Sequence, residues 1–257
     1  MIDVDAELAL ALELADAADE LTVERYRALD LVVETKPDLT PVSEADRAAE
    51  ELLRDRISYV RPAHGILGEE FGAEGGQHTR WILDPIDATK NYVRGVPVWA
   101  TLIALEHDGV VQVGVVSAPA LRRRWWAARD RGAFADGEPI RVSSVARVAD
   151  AHLAYDDVAS FTACGREAQF LALARGCWRT RGFGDFWAHM LVAEGAVDAA
   201  IEPDGLHLWD LAAVQVVVEE AGGRFTDLGG VARADRGSAV STNGRIHDDV
   251  LEALRRG

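Results

Sequence analysis

The chain has 257 residues, 49% of them hydrophobic, and a formal net charge of −16 at pH 7. That length allows one large domain or two closely packed lobes. The acidic balance argues against nucleic acid or an anionic membrane as partner, so a phosphate ligand would have to be drawn in by cations or backbone amides. No segment reaches the length of a membrane span, and the acidic, amphipathic N-terminus lacks the basic start and apolar run of a signal peptide. Cys164 and Cys177 are the only cysteines, with no CxxC spacing, which fits a reducing, cytoplasmic setting. The seven histidines show no HxH or HExxH spacing and read as surface or core residues rather than zinc ligands.

Residues 3–33 read as a long helix, with Leu10, Leu14, Ala17 and Leu21 at helical spacing. Pro37 stops what precedes it. A polar connection, Lys36 to Asp46, leads into a second helix capped by Ser43, with Ala49, Leu52, Leu53 and Ile57 on its apolar side. Asp46 falls in its first turn, where the helix dipole favours a carboxylate. Ile66 to Gly68 reads as a short strand entering an acidic loop at Glu69 and Glu70.

The apolar run Trp81-Ile82-Leu83 predicts a buried strand. Pro85 should end it. Asp84 and Asp87 stand on either side of that proline, and Asp87 is placed to cap a short helix beginning at Ala88. Carboxylates at a strand end suit a hard cation such as Mg²⁺. The free amides of Ala88 and Thr89, at the helix start, suit a phosphate.

Val98 to Glu106 and Val110 to Ser117 then form a hairpin about Asp108-Gly109, followed by a strand from Arg124 to Arg129 and a turn at Asp136-Gly137. Residues 80–142 therefore predict an antiparallel meander covered by the two N-terminal helices.

From Val148 onward strands and helices alternate: strands at Leu153–Tyr155, Trp178–Arg181 and Val197–Ile201, and helices over 166–175 and 186–194. A helix starting at Trp209-Asp210 and stopped by Gly222-Gly223 follows. Short strands Arg224–Thr226 and Ala239–Thr242 and a last helix Ile246–Arg255 complete the chain. The expected division is an N-terminal α+β lobe over 1–147 and a C-terminal α/β lobe over 148–257, packed as one unit.

Four separated acidic sites stand out: Asp46, Glu69, the Asp84/Asp87 pair and Asp210. With their flanks (Lys36 to Asp46, Gly68-Glu69-Glu70, Trp81 to Asn91, Trp209 to Gly223) they resemble the inositol monophosphatase superfamily of Mg²⁺-dependent phosphatases, in motif order and over nearly the whole chain. The resemblance implies an α+β fold, a layered αβαβα sandwich of the inositol monophosphatase and fructose-1,6-bisphosphatase type. It implies two or three Mg²⁺ ions held by Glu69, Asp84, Asp87, Asp210 and the backbone carbonyl of Ile86. Asp46, Thr89 and Glu69 would be catalytic, Asp46 and Thr89 positioning and deprotonating the attacking water. Ala88, Thr89 and Asn91 would contact the substrate, and the protein would be a homodimer. Where the family motif usually has glycine, this chain has Ala88, whose methyl is tolerated if the backbone dihedrals there are ordinary.

Within the superfamily, the run Arg181 to Phe186 is similar to the R-x-x-G-D segment of the histidinol-phosphate phosphatases, as are the runs Val93 to Ala100 and Val192 to Asp198. That likeness implies that Gly184, Asp185, Glu202 and Asp210 face the substrate, with the carboxylates meeting an ammonium or imidazolium. Asp185 alternatively reads as a plain helix cap. Two rival readings stay open: the same chemistry on an inositol phosphate, fructose bisphosphate or nucleotide 3′-phosphate, and a metal-dependent binding protein whose site Ala88 has damaged.

Overall fold

A computed structural model describes residues 2–37 and 40–255. Asp38 and Leu39, part of the polar connection ahead of the second helix, lie outside the described residues. Helix α1 (Val4–Arg25) is shorter than its periodicity suggests. The chain leaves it at Tyr26, whose ring lies 5.4 Å from those of Tyr92 and Trp99. Arg27 follows in the left-handed region and donates to the Gly95 carbonyl. Packing a tyrosine into an aromatic cluster outweighs continuing a solvent-facing helix.

Strands β1 (Val33–Thr35) and β2 (Pro41–Ser43), which the sequence reading lacked, pair antiparallel and deliver Ser43 as the cap of α2 (Glu44–Val60). Next come β3 (Gly65–Gly68), β4 (Gly72–Glu74), β5 (Thr79–Asp87) and the short α3 (Thr89–Val93). The meander follows as β6 (Ala100–His107), β7 (Val110–Ala118), β8 (Arg123–Ala128), β9 (Gly132–Ala135) and β10 (Glu138–Pro139). Together they form one eight-stranded sheet in the order β10-β9-β8-β7-β6-β5-β3-β4. The Asp108-Gly109 and Asp136-Gly137 turns have φ of 52°, 76°, 51° and 93°, the positive values that tight hairpins require.

Pro85 does not end β5. The strand continues to Asp87 through a register shift, with Asp84 opposite Leu102 and Asp87 opposite Ala100. A bulge absorbs the missing amide, and Thr101 Oγ1 donates to the Pro85 carbonyl at 2.8 Å. The bulge re-aims the strand end and brings both aspartates to the same rim.

The second sheet is built from β11 (His152–Tyr155), β12 (Arg179–Gly182), β13 (Ala199–Glu202), β14 (Arg224–Thr226) and β15 (Ala239–Thr242), in the order β12-β11-β13-β15-β14. Its helices are α4 (Val158–Ala163), not foreseen from the sequence, α5 (Glu167–Gly176), α6 (Asp185–Ala193), α7 (Leu208–Glu220) and α8 (His247–Arg255).

Strand alternation sets the layers. Trp81, Leu83, Ile103, Leu105 and Val113 point to one face and pack on Leu10 and Leu14 of α1 and Leu53 and Ile57 of α2. Ile82, Leu102, Ala104 and Val116 point to the other and pack on Leu211, Val214 and Val218 of α7 and Met190 of α6. Gly114 lets α7 settle against β7, since a Cβ there would meet Val216 at 2.5 Å and the Ala213 carbonyl at 2.8 Å. Beyond these middle helices, the second sheet packs Leu153, Ile201 and Val240 against Phe170 and Leu173 of α5 and Leu251 and Leu254 of α8. The order helix, sheet, helix, sheet, helix is the expected layered α+β sandwich. Among the described residues no helix is long and apolar enough to cross a membrane.

His247 is fully buried between two threonines. Thr226 spends its hydroxyl proton on the Asp227 carbonyl, so it accepts from His247 Nε2–H at 3.0 Å. Thr242 Oγ1 lies 2.9 Å from Nδ1, which leaves the neutral ring fully paired. Burial, with Arg224 adding to it, lowers the imidazole pKa to about 4. The unfolded chain takes up this proton near 6.5 and the native state does not until about 4. The site's contribution to stability, up to about 3 kcal/mol, is therefore lost as pH falls through that window. The His247 ring should keep its neutral NMR signature at pH 5.5; a ring already protonated there would contradict this account.

Candidate active site

Where the bulged end of β5, α3, the starts of α6 and α7 and the end of β13 converge, they enclose a cleft of 710 Å³. Its lining includes Lys36, Glu69, Asp87, Ala88, Thr89, Lys90, Asn91, Asp156, Asp185, His189, Glu202, His207 and Asp210. Asp84, Asp87 and Asp210 each bring a carboxylate oxygen within 4.8 Å of the others. Asp84 is 1% exposed, and its Oδ1 is buried without a hydrogen-bond partner.

Local folding rules hold each acid in place. Asp46 and Asp210 both occupy the third position of their helices and close capping boxes. Ser43 N–H and Oγ donate to Asp46 Oδ2 at 2.8 and 2.5 Å, and His207 N–H donates to Asp210 Oδ2 at 2.6 Å. Thr89 Oγ1 lies 3.2 Å from Asp46 Oδ1 and 3.0 Å from the Ile86 carbonyl. Asp87 does not cap α3. Its Oδ2 accepts from Phe186 N–H at 2.9 Å, tying β5 to the start of α6. Glu69 and Glu70 share the Lys36 ammonium at 2.7 and 2.5 Å.

At Ala88 the structure answers the sequence question directly. The residue is the N-cap of α3 in the left-handed region, φ 65° and ψ 46°, with no side-chain cap. Glycine takes this conformation freely and alanine does so at a cost. Asn91 lines the cleft, but its Nδ2 is already committed to the Val98 carbonyl at 2.9 Å. Gly184 does not line the cleft: it is the N-cap of α6 at φ 62°, its N–H donates to the Tyr155 carbonyl, and a Cβ there would come within 2.7 Å of Asp156 Oδ1. Asp185 is the first residue of α6 rather than its cap, held at φ 49°.

The electrostatics divide into two acidic ends. At the first, burial followed by the Glu69, Asp87 and Asp210 carboxylates raises Asp84 well above the usual carboxylate range. Burial, then Asp185 and Asp210, does the same to Asp87. Burial with Glu69 and Glu202 nearby raises Asp210 to about 7, and burial raises Asp46 to about 6. At the second end, burial and then Glu202 and Asp156 raise Asp185 to about 7. Carboxylates crowded like this in a buried setting favour a bound cation. The all-oxygen donors at the first end and the orphaned Asp84 Oδ1 fit a hard divalent ion.

Asp156, His189, Lys36 and Lys90 belong to the cleft and were not among the candidate residues from sequence. Asp156 and His189 come from the end of β11 and the body of α6, where no local pattern distinguishes them from surface and core residues. Elsewhere His78, His107 and Asp108 bring ligand atoms within 4.8 Å of one another. They sit at the opposite end of β5 from the cleft, and there His78 Nδ1 lies 2.6 Å from Asp108 Oδ1.

A model of the Inositol monophosphatase family matches residues 3–257. The chain belongs to this family. Histidinol-phosphatase of Mycobacterium tuberculosis is 56% identical over 257 residues, covering 98% of both chains. Histidinol-phosphatase of Streptomyces coelicolor is 53% identical over 265 residues, covering 100% of this chain and 99% of that one. Among solved structures, extragenic suppressor protein suhB from Bartonella henselae superposes with a TM-score of 0.90 at 31% identity, covering 98% and 99% of the two chains. The Thermotoga maritima IMPase gives 0.88 at 32%, covering 97% and 96%. The protein is thus a phosphatase of a metal-dependent family, and the layered fold expected from the sequence is the family's fold.

Three outcomes test the site. Ala88→Gly should raise stability by about 1 kcal/mol by relieving the left-handed turn, read as a higher melting temperature. A divalent cation at a hundredfold excess over its Kd should stabilise the protein by about 2.7 kcal/mol. Asp84→Asn should lose most of that gain while melting no lower than the wild type in chelator, because it removes one of the mutually repelling buried charges.

Proposed function

We propose that the protein is a Mg²⁺-dependent histidinol-phosphate phosphatase, converting L-histidinol phosphate and water to L-histidinol and phosphate in histidine biosynthesis. The observation that carries the substrate choice is the second acidic end of the cleft. Asp185 and Glu202, with Asp156 beside them, face the space that the alcohol part of a bound ester would fill. An ammonium and an imidazolium meet their charge there, whereas an inositol ring would need neutral hydrogen-bonding groups. The two relatives above 50% identity carry the name histidinol-phosphatase, which supports the same choice.

In this reading Asp84, Asp87, Asp210, Glu69 and the Ile86 carbonyl hold two or three Mg²⁺ ions. When bound, they neutralise the phosphoryl oxygens and make water a better nucleophile. The remaining work falls to the chain. Asp46 keeps Oδ2 saturated by Ser43, so only Oδ1 faces Thr89. Thr89 accepts the proton of the attacking water while passing its own to Asp46 Oδ1. Burial lifts Asp46 to about 6, which makes it a better base than a solvated aspartate.

Amides of Ala88 and Thr89 donate to the phosphoryl group. Lys36 balances Glu69 and Glu70 at the edge of the site. Residues 1–147 supply most metal ligands and residues 148–257 the specificity end. The same reading makes the enzyme a cytoplasmic homodimer without nucleic-acid or membrane partners, in keeping with its net charge of −16.

Phosphate release from a panel of esters, with and without Mg²⁺, tests this. Histidinol phosphate should be the preferred substrate and turnover should vanish with chelator. Asp185→Asn should lower kcat/KM for histidinol phosphate by about tenfold or more, the worth of a hydrogen bond to a charged group. Unchanged histidinol phosphate turnover in that variant, with inositol phosphate cleaved faster, would overturn the substrate. No turnover of any ester despite bound metal would favour the binding-protein reading.

A further inference from the structure

His189 is 1% exposed, yet both of its ring nitrogens are engaged. It lies on α6 one turn after Asp185, so the two share a helix face. Its Nε2 is 3.1 Å from Glu202 Oε1 at the end of β13, and its Nδ1 is 2.7 Å from Ser241 Oγ on β15. Strands β13 and β15 are neighbours, with Ala200 opposite Ser241 and Glu202 opposite Ala239. Ser241 is itself fully buried and Glu202 is 5% exposed.

With Glu202 as a carboxylate and His189 as the neutral ring, the direction of this chain follows. A carboxylate only accepts, so Nε2 carries the proton that reaches Glu202. In the neutral ring Nδ1 is then the acceptor and the Ser241 hydroxyl donates to it. Ser241, His189 and Glu202 thus form one line of hydrogen bonds ending on a carboxylate that borders the cleft. Glutamate has three side-chain torsions, and the imidazole pins the carboxylate through Oε1 alone, leaving Oε2 uncommitted. His189 borders the cleft with almost no exposed surface and its Nε2 is engaged by Glu202, so Glu202 is the group through which it acts on a ligand.

We infer that His189 is a positioning residue for substrate choice: it holds the Glu202 carboxylate in the orientation that receives the cationic end of the alcohol. This rests on the reading that the cleft takes a phosphate ester with a positively charged alcohol. The ligand class is an ammonium- or imidazolium-bearing ester, and His189 contributes to its capture, leaving the phosphoryl chemistry at the other end of the cleft alone. Preorganisation of this kind lowers the entropy lost on binding.

The test compares L-histidinol phosphate with p-nitrophenyl phosphate, which carries no cation. His189→Phe fills the same space without donors and leaves Glu202 unanchored. It should raise KM for histidinol phosphate on the order of tenfold, with kcat changed by less than about threefold and kcat/KM for p-nitrophenyl phosphate unchanged. His189→Gln, whose amide nitrogen can take the place of Nε2, should restore KM. Turnover of the neutral ester doubles as a check on folding.

If His189→Phe does not fold, the imidazole resonances of the wild type decide. The ring should be in the Nε2–H form, and adding L-histidinol should shift its Nε2 signal. A ring in the other tautomer, or one indifferent to L-histidinol, would overturn the role. So would a wild type that prefers histidinol phosphate together with a His189→Phe variant that keeps the preference. A wild type with no preference for the cationic ester would instead sink the substrate reading, and the His189 role with it.

Discussion

The constraint from which the rest of the structure follows is the gathering of buried carboxylates that repel one another. Asp84 is the extreme case: 1% exposed, with an oxygen that has no partner and with Glu69, Asp87 and Asp210 nearby. Like charges desolvated together are among the least favourable arrangements a chain can adopt without a counter-ion. Several elements are spent on keeping them together. Bulged β5 carries two of the acids, the α7 capping box holds Asp210, and the amide of Phe186 anchors Asp87 from the second half of the chain. A scaffold that over-determines such positions stores unfavourable electrostatics until a cation relieves them.

The layers serve that end. Trp81 and Leu83 are buried against α1 and α2 while Ile82 is buried against α6 and α7, so β5 is locked from both faces. The strand cannot slip by one residue without turning Trp81 and Leu83 into the space packed for Ile82, and Ile82 into theirs. Its last residues, Asp84 to Asp87, are therefore delivered at a fixed height above the start of α7. Gly114 contributes from a distance, because the close approach of α7 to β7 that it permits helps set where Asp210 begins.

Much of this could be read from the chain beforehand, for reasons specific to each case. The Asp108-Gly109 hairpin and the Ser43 cap depend on residues within a few positions of one another, and local chemistry decides them. The end of α1 could not be read, because it depends on Tyr26 meeting Tyr92 and Trp99, more than sixty positions away. Pro85 misled for a related reason: its effect on β5 depends on whether the neighbouring strand can absorb a bulge, and Thr101 on β6 does so. In the site, the metal-end acids came from motifs matched to a family. Asp156 and His189 lie outside those motifs, and the second sheet's packing brings them to the cleft, whereas Lys90 lies within the Trp81 to Asn91 run and reaches the cleft from α3.

Asp46 and Asp210 show why residue-by-residue reading stalls at functional positions. Each is what a helix wants at its third residue, and each closes a capping box that would be worth keeping for stability alone. A capping box consumes one oxygen of the carboxylate, by a backbone amide, and leaves the second free in a fixed direction. For Asp46 the free oxygen meets Thr89; for Asp210 the carboxylate meets Asp84 and Asp87. The structural role and the chemical role are thus two oxygens of one group, and the first prepares the second by holding the carboxylate still. The same division recurs at Glu202, where His189 takes one oxygen and the cleft is left the other. A site assembled in this way needs no special local sequence, because ordinary capping and pairing orient the acids and the tertiary fold alone decides what they face.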